Sequence, residues 1–215
     1  MTVRAKICGI NDAAAMRAAI DGDAAFVGLV FYPPSPRNVT PEAAGPLAAL
    51  VPPSVVRVGL FVDPDDTLIA AAHRHAALDM AQLHGSESPA RCDEIRDRFG
   101  LKVMKALKIA EAADIEAADA YIGHVDWLMF DARTPTGMKG ALPGGNALAF
   151  EWALLAGRSF AVPWMLAGGL TPDNVAEAAR ISGATSVDVS SGVENAPGRK
   201  DPGKIARFLD AVRAL

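Results

Sequence analysis

The chain has 215 residues, of which 51% are hydrophobic and 21% are charged, and its formal net charge is −4 at pH 7. This size and apolar content predict one compact domain over residues 1–215, and the mild acidity argues against nucleic acid or an anionic membrane as a partner. No apolar run approaches the roughly 18 residues of a membrane span, and the N-terminus lacks the apolar core of a signal peptide. The two cysteines, Cys8 and Cys92, form no metal or disulfide spacing, so we expect a reduced, cytoplasmic protein.

Short apolar runs alternate with helix-like segments about eight times along the chain. Their continuous Val, Ile, Leu and Met content is typical of strands that are buried on both faces. The predicted strands cover residues 5–10, 25–31, 55–62, 80–84, 103–107, 127–131, 164–167 and 186–190.

The segments between these runs carry helix signals at both ends. Residues that can cap the start of a helix are Asn11 or Asp12, Thr40 with Pro41, and Ser88 with Pro89. Glycines that stand where helices should end are Gly22, Gly100, Gly157 and Gly183. The last helix is the clearest, and its apolar residues at helical spacing are Ile205, Phe208, Leu209 and Val212.

This alternation predicts an α/β protein whose parallel sheet closes into a single-domain (β/α)8 TIM barrel. An open doubly wound sheet is the alternative, but it usually has fewer strands at this length, and no Gly-x-Gly-x-x-Gly follows the first strand. In a barrel the carboxyl ends of the strands form the catalytic face, so the polar residues that end the apolar runs are the candidate site residues.

Two of these candidates can move protons. Cys8 ends the first strand on the same face as Lys6, and its thiolate can act as a base provided that its pKa is lowered from about 8.5. The alternative is that Cys8 is a small buried apolar residue, as we interpret Cys92 to be in its helix. Asp131 ends the sixth strand, where burial of a carboxylate is costly without a purpose, and this suits a general acid. The alternative is a carboxylate that braces the next loop.

The seventh and eighth strands end in residues that suit an anion. Gly168 and Gly169 let backbone N–H groups approach a ligand closely, and Ser190, Ser191 and Gly192 add hydroxyl and N–H donors. The loops after these two strands are a recurrent phosphate site in barrels, so we predict a phosphate site here rather than two ordinary turns.

Further polar residues are candidates for substrate contact. Arg37 follows a proline-rich loop, residues 32–36, that would hold its guanidinium over the barrel mouth for carboxylate binding; the alternative is a solvated loop arginine. Gln82 and His84 share a strand face, and His84 could orient substrate or be structural. Lys105, within a strand, could form a Schiff base with a carbonyl substrate, which would indicate an aldolase. No His and carboxylate residues show metal-site spacing.

Seven stretches in register resemble the phosphoribosylanthranilate isomerase family over almost the whole chain. They are Lys-Ile-Cys-Gly at 6–9, Phe-Tyr at 31–32 with Ser-Pro-Arg at 35–37, Val-Gly-Leu-Phe-Val at 58–62, Gln-Leu-His-Gly-Ser-Glu at 82–87, Leu-Ala-Gly-Gly-Leu at 166–170 with Pro172 and Asn-Val at 174–175, Asp-Val-Ser-Ser-Gly-Val-Glu at 188–194, and Pro-Gly with Lys-Asp at 197–198 and 200–201. Each stretch alone is weak, but the series in this order is specific.

The resemblance implies an intramolecular oxidoreductase of tryptophan biosynthesis. It would carry out the Amadori rearrangement of N-(5-phosphoribosyl)anthranilate to 1-(2-carboxyphenylamino)-1-deoxyribulose 5-phosphate, with Cys8 as general base and Asp131 as general acid. The partner would be this small molecule, with no organic cofactor and no metal, because the amine of the substrate supplies the iminium. Lys105 then has no reason to form a Schiff base and is interpreted as structural.

The resemblance also implies the roles of the binding residues. Arg37 would hold the anthranilate carboxylate, while Gln82, His84 and Asp188 would line the pocket. The phosphate would lie among the donors of the last two loops, which are Gly168, Gly169, Ser190, Ser191 and Gly192. The oligomeric state is left open, as a monomer or a homodimer.

Two positions depart from the family pattern. Gly-Gly-Asn-Ala at 144–147 stands where the family commonly has Gly-Gly-Thr-Gly, so Asn146 keeps a polar side chain but Ala147 replaces a flexible glycine. Ala132 follows Asp131, where Ser or Thr is frequent. These changes could alter loop closure or affinity, but they leave the acid and the base in place.

Three other kinds of barrel protein agree less well with the sequence. The isomerase of histidine biosynthesis does the same chemistry on a larger bisphosphate, but it typically has an Asp where Cys8 stands and two phosphate sites, whereas the sequence indicates one. Indole-glycerol-phosphate synthase needs a Lys/Glu constellation that the sequence does not match. A catalytically dead barrel that only binds a phosphorylated ligand should have lost Cys8 or Asp131, and both are present.

Overall fold

The computed structural model describes residues 2–133, 144 and 149–215. Eight parallel strands close into a barrel in which each strand pairs with the next and the eighth with the first, which confirms the predicted fold. Every strand begins and ends within two residues of its predicted bounds. The barrel strands are β1 (Arg4–Cys8), β2 (Phe26–Phe31), β3 (Val56–Phe61), β4 (Met80–Leu83), β5 (Lys102–Ile109), β6 (Trp127–Ala132), β7 (Trp164–Leu166) and β8 (Ser186–Val189).

Helices follow the strands and cover the outside of the barrel. The α-helices are α1 (Ala13–Asp21), α2 (Pro41–Ala48), α3 (Asp66–Ala76), α4 (Pro89–Phe99), α5 (Ala112–Glu116), α6 (Val175–Ser182) and α7 (Pro202–Arg213). Shorter elements are the 3-10 turns Ala117–Tyr121, Trp152–Leu155 and Ser191–Val193, and a hairpin of β9 (Glu194–Ala196) and β10 (Arg199–Lys200). Within the described part of the chain, no helix is long and apolar enough to cross a membrane.

The predicted capping residues determine where several helices begin and end. The side chains of Asp12, Thr40 and Ser88 each accept a hydrogen bond from the backbone N–H three residues ahead, which satisfies a donor that the helix leaves unpaired. Gly100 and Gly183 end α4 and α6 in the left-handed conformation, which strains residues with a side chain.

Side-chain alternation along the strands divides the core into an outer layer, between strands and helices, and an inner layer inside the barrel. The buried apolar residues of the inner layer are Phe26, Val58, Met80, Met104, Ala106, Trp127, Met129, Met165 and Ala167. Positions of the same parity on neighbouring strands hold buried polar residues, which are Lys6, Gln82, Asp131 and Asp188. The alternation that fills the barrel with apolar groups therefore also directs these polar groups into its interior.

Candidate active site

The carboxyl ends of the strands bring the two predicted proton-transfer residues to one face of the barrel. Cys8 is the last residue of β1, and Asp131 lies one residue before the end of β6. Both are buried, with 3% and 6% of their surface exposed. Each stands in its own cluster of polar side chains, so the face carries a thiol centre and a carboxyl centre.

Cys8 shares its cluster with a buried ion pair. Lys6 lies opposite Asp188 in the pairing of β1 with β8, and its Nζ donates to Asp188 Oδ1 at 2.8 Å. Cys8 lies opposite Gly28 in the pairing of β1 with β2. A Cβ at Gly28 would come within 3.1 Å of both Cys8 Sγ and Lys6 Nζ, so the glycine leaves the space that these two atoms occupy.

The pKa of the Cys8 thiol is raised, and the main cause is burial, which disfavours the thiolate. The ammonium groups of Lys6 and Lys200 oppose this rise, while the Asp188 carboxylate adds to it. A thiol that acts as a base needs a lowered pKa, whereas the pKa of Cys8 in this structure is raised. The reason is that burial of the thiol outweighs the positive charge of Lys6 and Lys200, part of which Asp188 offsets.

Arg37 is buried beside Cys8 rather than extended over the mouth on an open loop, with 5% of its surface exposed. A Cβ at Gly9 would lie 2.7 Å from Arg37 Cδ, so the arginine chain crosses the residue that follows Cys8. Its Nε and Nη2 donate to the two carboxylate oxygens of Glu194, each at 2.8 Å. This fork geometry fixes the plane of the guanidinium.

Lys200 joins the same network from the β9–β10 hairpin. Its Nζ donates to Glu194 Oε1 at 2.7 Å, to the carbonyl oxygen of Ser190 at 2.9 Å, and to Ser190 Oγ at 3.3 Å. Burial lowers the pKa of Lys200, and the Glu194 carboxylate opposes that shift. The hairpin thus sets a cation behind one of the predicted phosphate donors.

Asp131 lies in the second cluster, with His84 and Gln82. Its Oδ2 is 3.1 Å from His84 Nε2, and its Oδ1 accepts from the backbone N–H of Ala132 at 2.9 Å. Gln82 Nε2 is 3.2 Å from His84 Nδ1, while Gln82 Oε1 is buried and has no hydrogen-bond partner among the residues that the structure describes. The chain Gln82–His84–Asp131 therefore fixes the orientation of the carboxyl group, and the orientation of the amide selects the histidine tautomer.

Gly144 lies against this second cluster. A Cβ there would meet His84 Cε1 at 2.8 Å and Asp131 Oδ2 at 2.9 Å, so a side chain at this position would displace one of them. The departure from the family pattern at Asn146 and Ala147 lies outside the described residues.

The predicted phosphate donors line the half-exposed rim after β7 and β8. Gly168 and Gly169 both have left-handed backbones, with φ of 88° and 65°. A Cβ at Gly168 would lie 2.6 Å from the backbone nitrogen of Ala132, and one at Gly192 would lie 1.9 Å from the carbonyl oxygen of Leu170. Backbone atoms thus pack closely at both loops, which is the condition for a cradle of N–H groups.

Asn174 braces the loop after β7. Its Oδ1 accepts from the backbone N–H of Thr171 at 2.8 Å, and its Nδ2 donates to the carbonyl oxygen of Gly169 at 3.0 Å. The Asn174 side chain therefore holds the loop in the conformation in which Gly168 and Gly169 have left-handed backbones.

Lys105 does not face the cleft. Its neighbours Met104 and Ala106 belong to the inner layer, so alternation directs Lys105 to the outside of the barrel. There its Nζ donates to Glu87 Oε2 and to the carbonyl oxygen of Gly85, each at 2.7 Å. A lysine held this way cannot reach a substrate in the barrel mouth, and its structural interpretation agrees with the geometry.

Sequence reasoning missed three participants: Glu194, Lys200 and Asn174. Glu194 and Lys200 appeared only as members of a motif, and their positions after the last strand end were the available signal. Arg37 and Glu194 are 157 residues apart, so no local pattern could pair them. Among residues 2–133, 144 and 149–215, no group of three His, Cys, Asp or Glu residues could hold a metal ion.

The fold and the cleft define a class: a (β/α)8-barrel enzyme with a thiol and a carboxyl group at strand ends and glycine loops suited to a phosphate. A family model described as N-(5'phosphoribosyl)anthranilate (PRA) isomerase matches residues 5–211. The chain belongs to this family.

Relatives and solved structures agree over the full length. The N-(5'-phosphoribosyl)anthranilate isomerase of Paramagnetospirillum magneticum is 56% identical over 99% of this chain and 98% of its own, and that of Rhodospirillum centenum is 55% identical over the whole of both chains. The crystal structure of the Thermotoga maritima enzyme is similar with a TM-score of 0.88, at 35% identity over the whole of both chains. A crystal structure of the isomerase in complex with reduced 1-(o-carboxyphenylamino)-1-deoxyribulose 5-phosphate is similar with a TM-score of 0.84, at 33% identity over the whole of both chains.

Proposed function

We propose that this chain isomerises N-(5'-phosphoribosyl)anthranilate to 1-(2-carboxyphenylamino)-1-deoxyribulose 5-phosphate in tryptophan biosynthesis, with Asp131 as the acid and Cys8 as the base. The activity is that of the family to which the chain belongs. The observation that carries the residue roles is the pair of proton-transfer groups at the ends of β1 and β6, both facing the interior of one barrel.

Asp131 acts first in this scheme. It protonates the furanose ring oxygen, the bond from that oxygen to C1 breaks, and the lone pair of the anthranilate nitrogen forms a C1–N iminium. To carry the proton on Oδ2, Asp131 donates to His84 Nε2, and His84 then holds its own proton on Nδ1. With its amide turned over, Gln82 accepts a hydrogen bond from that Nδ1–H through Oε1, the atom that has no partner within the described part of the chain.

Cys8 acts second. Its thiolate removes the proton from C2, and the electrons of that C–H bond form a C1–C2 double bond while the iminium nitrogen becomes neutral. The enolamine then loses its C2 hydroxyl proton and gains a proton at C1, which gives the ketone. The order matters, because the iminium places a positive charge in a buried cleft and so favours the thiolate that burial alone disfavours.

The binding roles follow the charges around this chemistry. Arg37, held in plane by Glu194, would bind the anthranilate carboxylate. The rim after β7 and β8 would bind the phosphate through the backbone of Gly168, Gly169 and Gly192 and through Ser190 and Ser191, with Lys200 supplying positive charge behind Ser190. Asp188 would face the ribose carbons from β8.

The ligand of the cleft is thus a small phosphorylated molecule. A further solved structure is described as monomers generated from the dimeric enzyme of Thermotoga maritima, and a monomer or a homodimer remains our prediction for this chain. A cytoplasmic location is also a proposal, supported by the two free cysteines and by the phosphorylated substrate.

Kinetics of two variants test the acid and base roles. Turnover of N-(5'-phosphoribosyl)anthranilate is followed by loss of its fluorescence. Cys8→Ala and Asp131→Asn are each expected to lower kcat by roughly 10²–10⁴, the usual contribution of one acid or base. Cys92→Ala, at a cysteine buried in α4, and Asp119→Asn, at an exposed carboxylate, are matched controls that should leave kcat within a few-fold. A Cys8 or Asp131 variant that also stays within a few-fold would show that the assignment is wrong.

A further inference from the structure

Lys6 is a fully buried cation that no step of the proposed reaction uses. None of its surface is exposed, and its Nζ has the single carboxylate partner Asp188. Burying an ammonium costs several kcal/mol unless its protons are satisfied, and one carboxylate satisfies only part of them. Methionines fill comparable positions in the barrel at Met129 and Met165 without this cost. The fold therefore does not need a charge at this position for packing.

The geometry directs that charge to Cys8. Lys6 and Cys8 are two positions apart on β1, so their side chains leave the strand on the same face. Lys6 Nζ and Cys8 Sγ both lie 3.1 Å from the place where a Cβ of Gly28 would stand. At this separation the charge of the Lys6 ammonium lowers the pKa of the Cys8 thiol and so favours the thiolate.

We propose that Lys6 is the positioning residue that favours the thiolate of Cys8 against the effect of burial, and that Asp188 sets how much of the Lys6 charge reaches the sulfur. This inference rests on the proposed function of Cys8 as the base. Lys6 does not touch the reacting atoms; it acts through the sulfur. The Lys6–Asp188 ion pair thus determines how strongly positive charge favours the thiolate of Cys8.

The charged groups that face Cys8 come from three elements. Lys6 on β1 and Lys200 on β10 favour the thiolate, while Asp188 on β8 disfavours it. The Glu194 carboxylate offsets the positive charge of Lys200 in an ion pair and also accepts hydrogen bonds from Arg37. Lys6 lies on the same strand as Cys8, whereas Asp188 lies on the neighbouring strand opposite Lys6, so the ammonium outweighs the carboxylate at the sulfur. Removal of both charges should therefore raise the pKa of Cys8.

Titration of Cys8 in the unliganded full chain tests the proposal. In a Cys92→Ala background Cys8 is the only cysteine, and carbon-13 NMR of protein labelled at the cysteine Cβ reports its ionisation. Lys6→Met is expected to raise the midpoint by about one pH unit or more, the usual effect of losing a close opposite charge. Asp188→Asn is expected to lower it. Lys105→Met removes a buried lysine outside the barrel and should not move the midpoint.

A second variant keeps the test decisive if Lys6→Met leaves Asp188 buried without a partner and fails to fold. Lys6→Met/Asp188→Asn removes the whole pair and should still raise the midpoint. An unchanged or lowered midpoint in the folded double variant overturns the proposal, whatever happens to kcat. If the midpoint moves as expected but Cys8→Ala keeps its kcat, the role of Cys8 as base fails while the influence of Lys6 on the sulfur stands.

Discussion

Arg37, the residue that we propose binds the substrate carboxylate, is held in a fixed position by the protein itself. One edge of its guanidinium is bound by Glu194, and its chain lies across Gly9 next to Cys8. The Arg37 side chain therefore has little conformational freedom left to lose when a carboxylate binds. The entropy cost that would otherwise reduce the binding free energy is small.

We expect Arg37→Met to raise KM for N-(5'-phosphoribosyl)anthranilate. A hydrogen bond to a charged group contributes about 1.5–3 kcal/mol, which corresponds to a rise of roughly 10- to 100-fold. Steady-state kinetics measure this, and Arg207→Met, at an exposed arginine of α7, should leave KM unchanged. An unaltered KM in the Arg37 variant would remove this residue from carboxylate binding.

The residue scale also shows what the sequence could reach. Cys8, Asp131 and His84 were found because they end apolar runs, and strand ends meet at one face of a barrel. The direction of the Cys8 pKa was not reachable, because it depends first on how completely the folded barrel buries the thiol, and then on Lys6 and Asp188, which are 182 residues apart. Position along a strand predicts which groups meet, but the balance of charges between them requires coordinates.

Among the elements, the β9–β10 hairpin was not anticipated, and it brings Glu194 and Lys200 to the cleft. Its strands have three and two residues, too short to show an alternation in the sequence. The turn Trp152–Leu155 differs from expectation for a related reason. Only four residues form it before Gly157 takes a left-handed backbone, and short segments of this kind close as 3-10 rather than α-helix.

The free energy of unfolding should depend on the buried carboxylate of Glu194 in the β9–β10 hairpin. Glu194→Gln leaves Arg37 and Lys200 without their counter-charge, and breaking such a buried pair costs about 3–5 kcal/mol. Burial would raise the pKa of Glu194, but hydrogen bonds and charge from Arg37 and Lys200 lower it below its usual value. A lowered pKa stabilises the fold above the unfolded value of about 4.3 and loses that effect as pH falls through the folded value.

Urea unfolding at neutral pH should therefore show the Glu194→Gln variant to be less stable. The gap between the variant and the parent should narrow as the pH is lowered below about 4. If the difference in unfolding free energy between variant and parent does not change with pH, Glu194 does not stabilise the fold as an ionised carboxylate.

The loop after β8 offers a further test, at Gly192. A Cβ there would collide with the carbonyl oxygen of Leu170 in the loop after β7, so Gly192→Ala should force apart the two loops that would bind the phosphate. We expect KM to rise by roughly tenfold or more, the effect of one lost charged hydrogen bond. Gly183→Ala is the control, because it strains a left-handed helix end with open space around it and should lower Tm without a change in KM.

Over the whole molecule, the outer core joins apolar residues from Ala5 to Val212, and we propose that residues 1–215 fold as one domain. The barrel places β3 and β4 across from β7 and β8, four strands away. At the β3–β4 side, backbone N–H groups of Asp63, Gly85 and Ser86 are bound by the protein's own carboxylates, those of Asp63 and Glu87. Glu87 is paired with Lys105 on the outside of the barrel, but the exposed carboxylate of Asp63 leaves negative charge on the side opposite the predicted phosphate site.

This asymmetry predicts that the enzyme acts on a monophosphate. The larger bisphosphate that is isomerised in histidine biosynthesis would bring its second phosphate toward Asp63, and like charges in contact cost several kcal/mol. We expect its kcat/KM to be at least about 100-fold below that of N-(5'-phosphoribosyl)anthranilate. Comparable values for the two substrates would show that the Asp63 carboxylate does not exclude a second phosphate.

The most direct test of the central claim is turnover of N-(5'-phosphoribosyl)anthranilate by the purified chain, followed by loss of its fluorescence. We expect a kcat/KM of about 10⁴ M⁻¹s⁻¹ or more, within the ordinary range for enzymes on their own substrates. A folded preparation that leaves the fluorescence at the uncatalysed rate would contradict it.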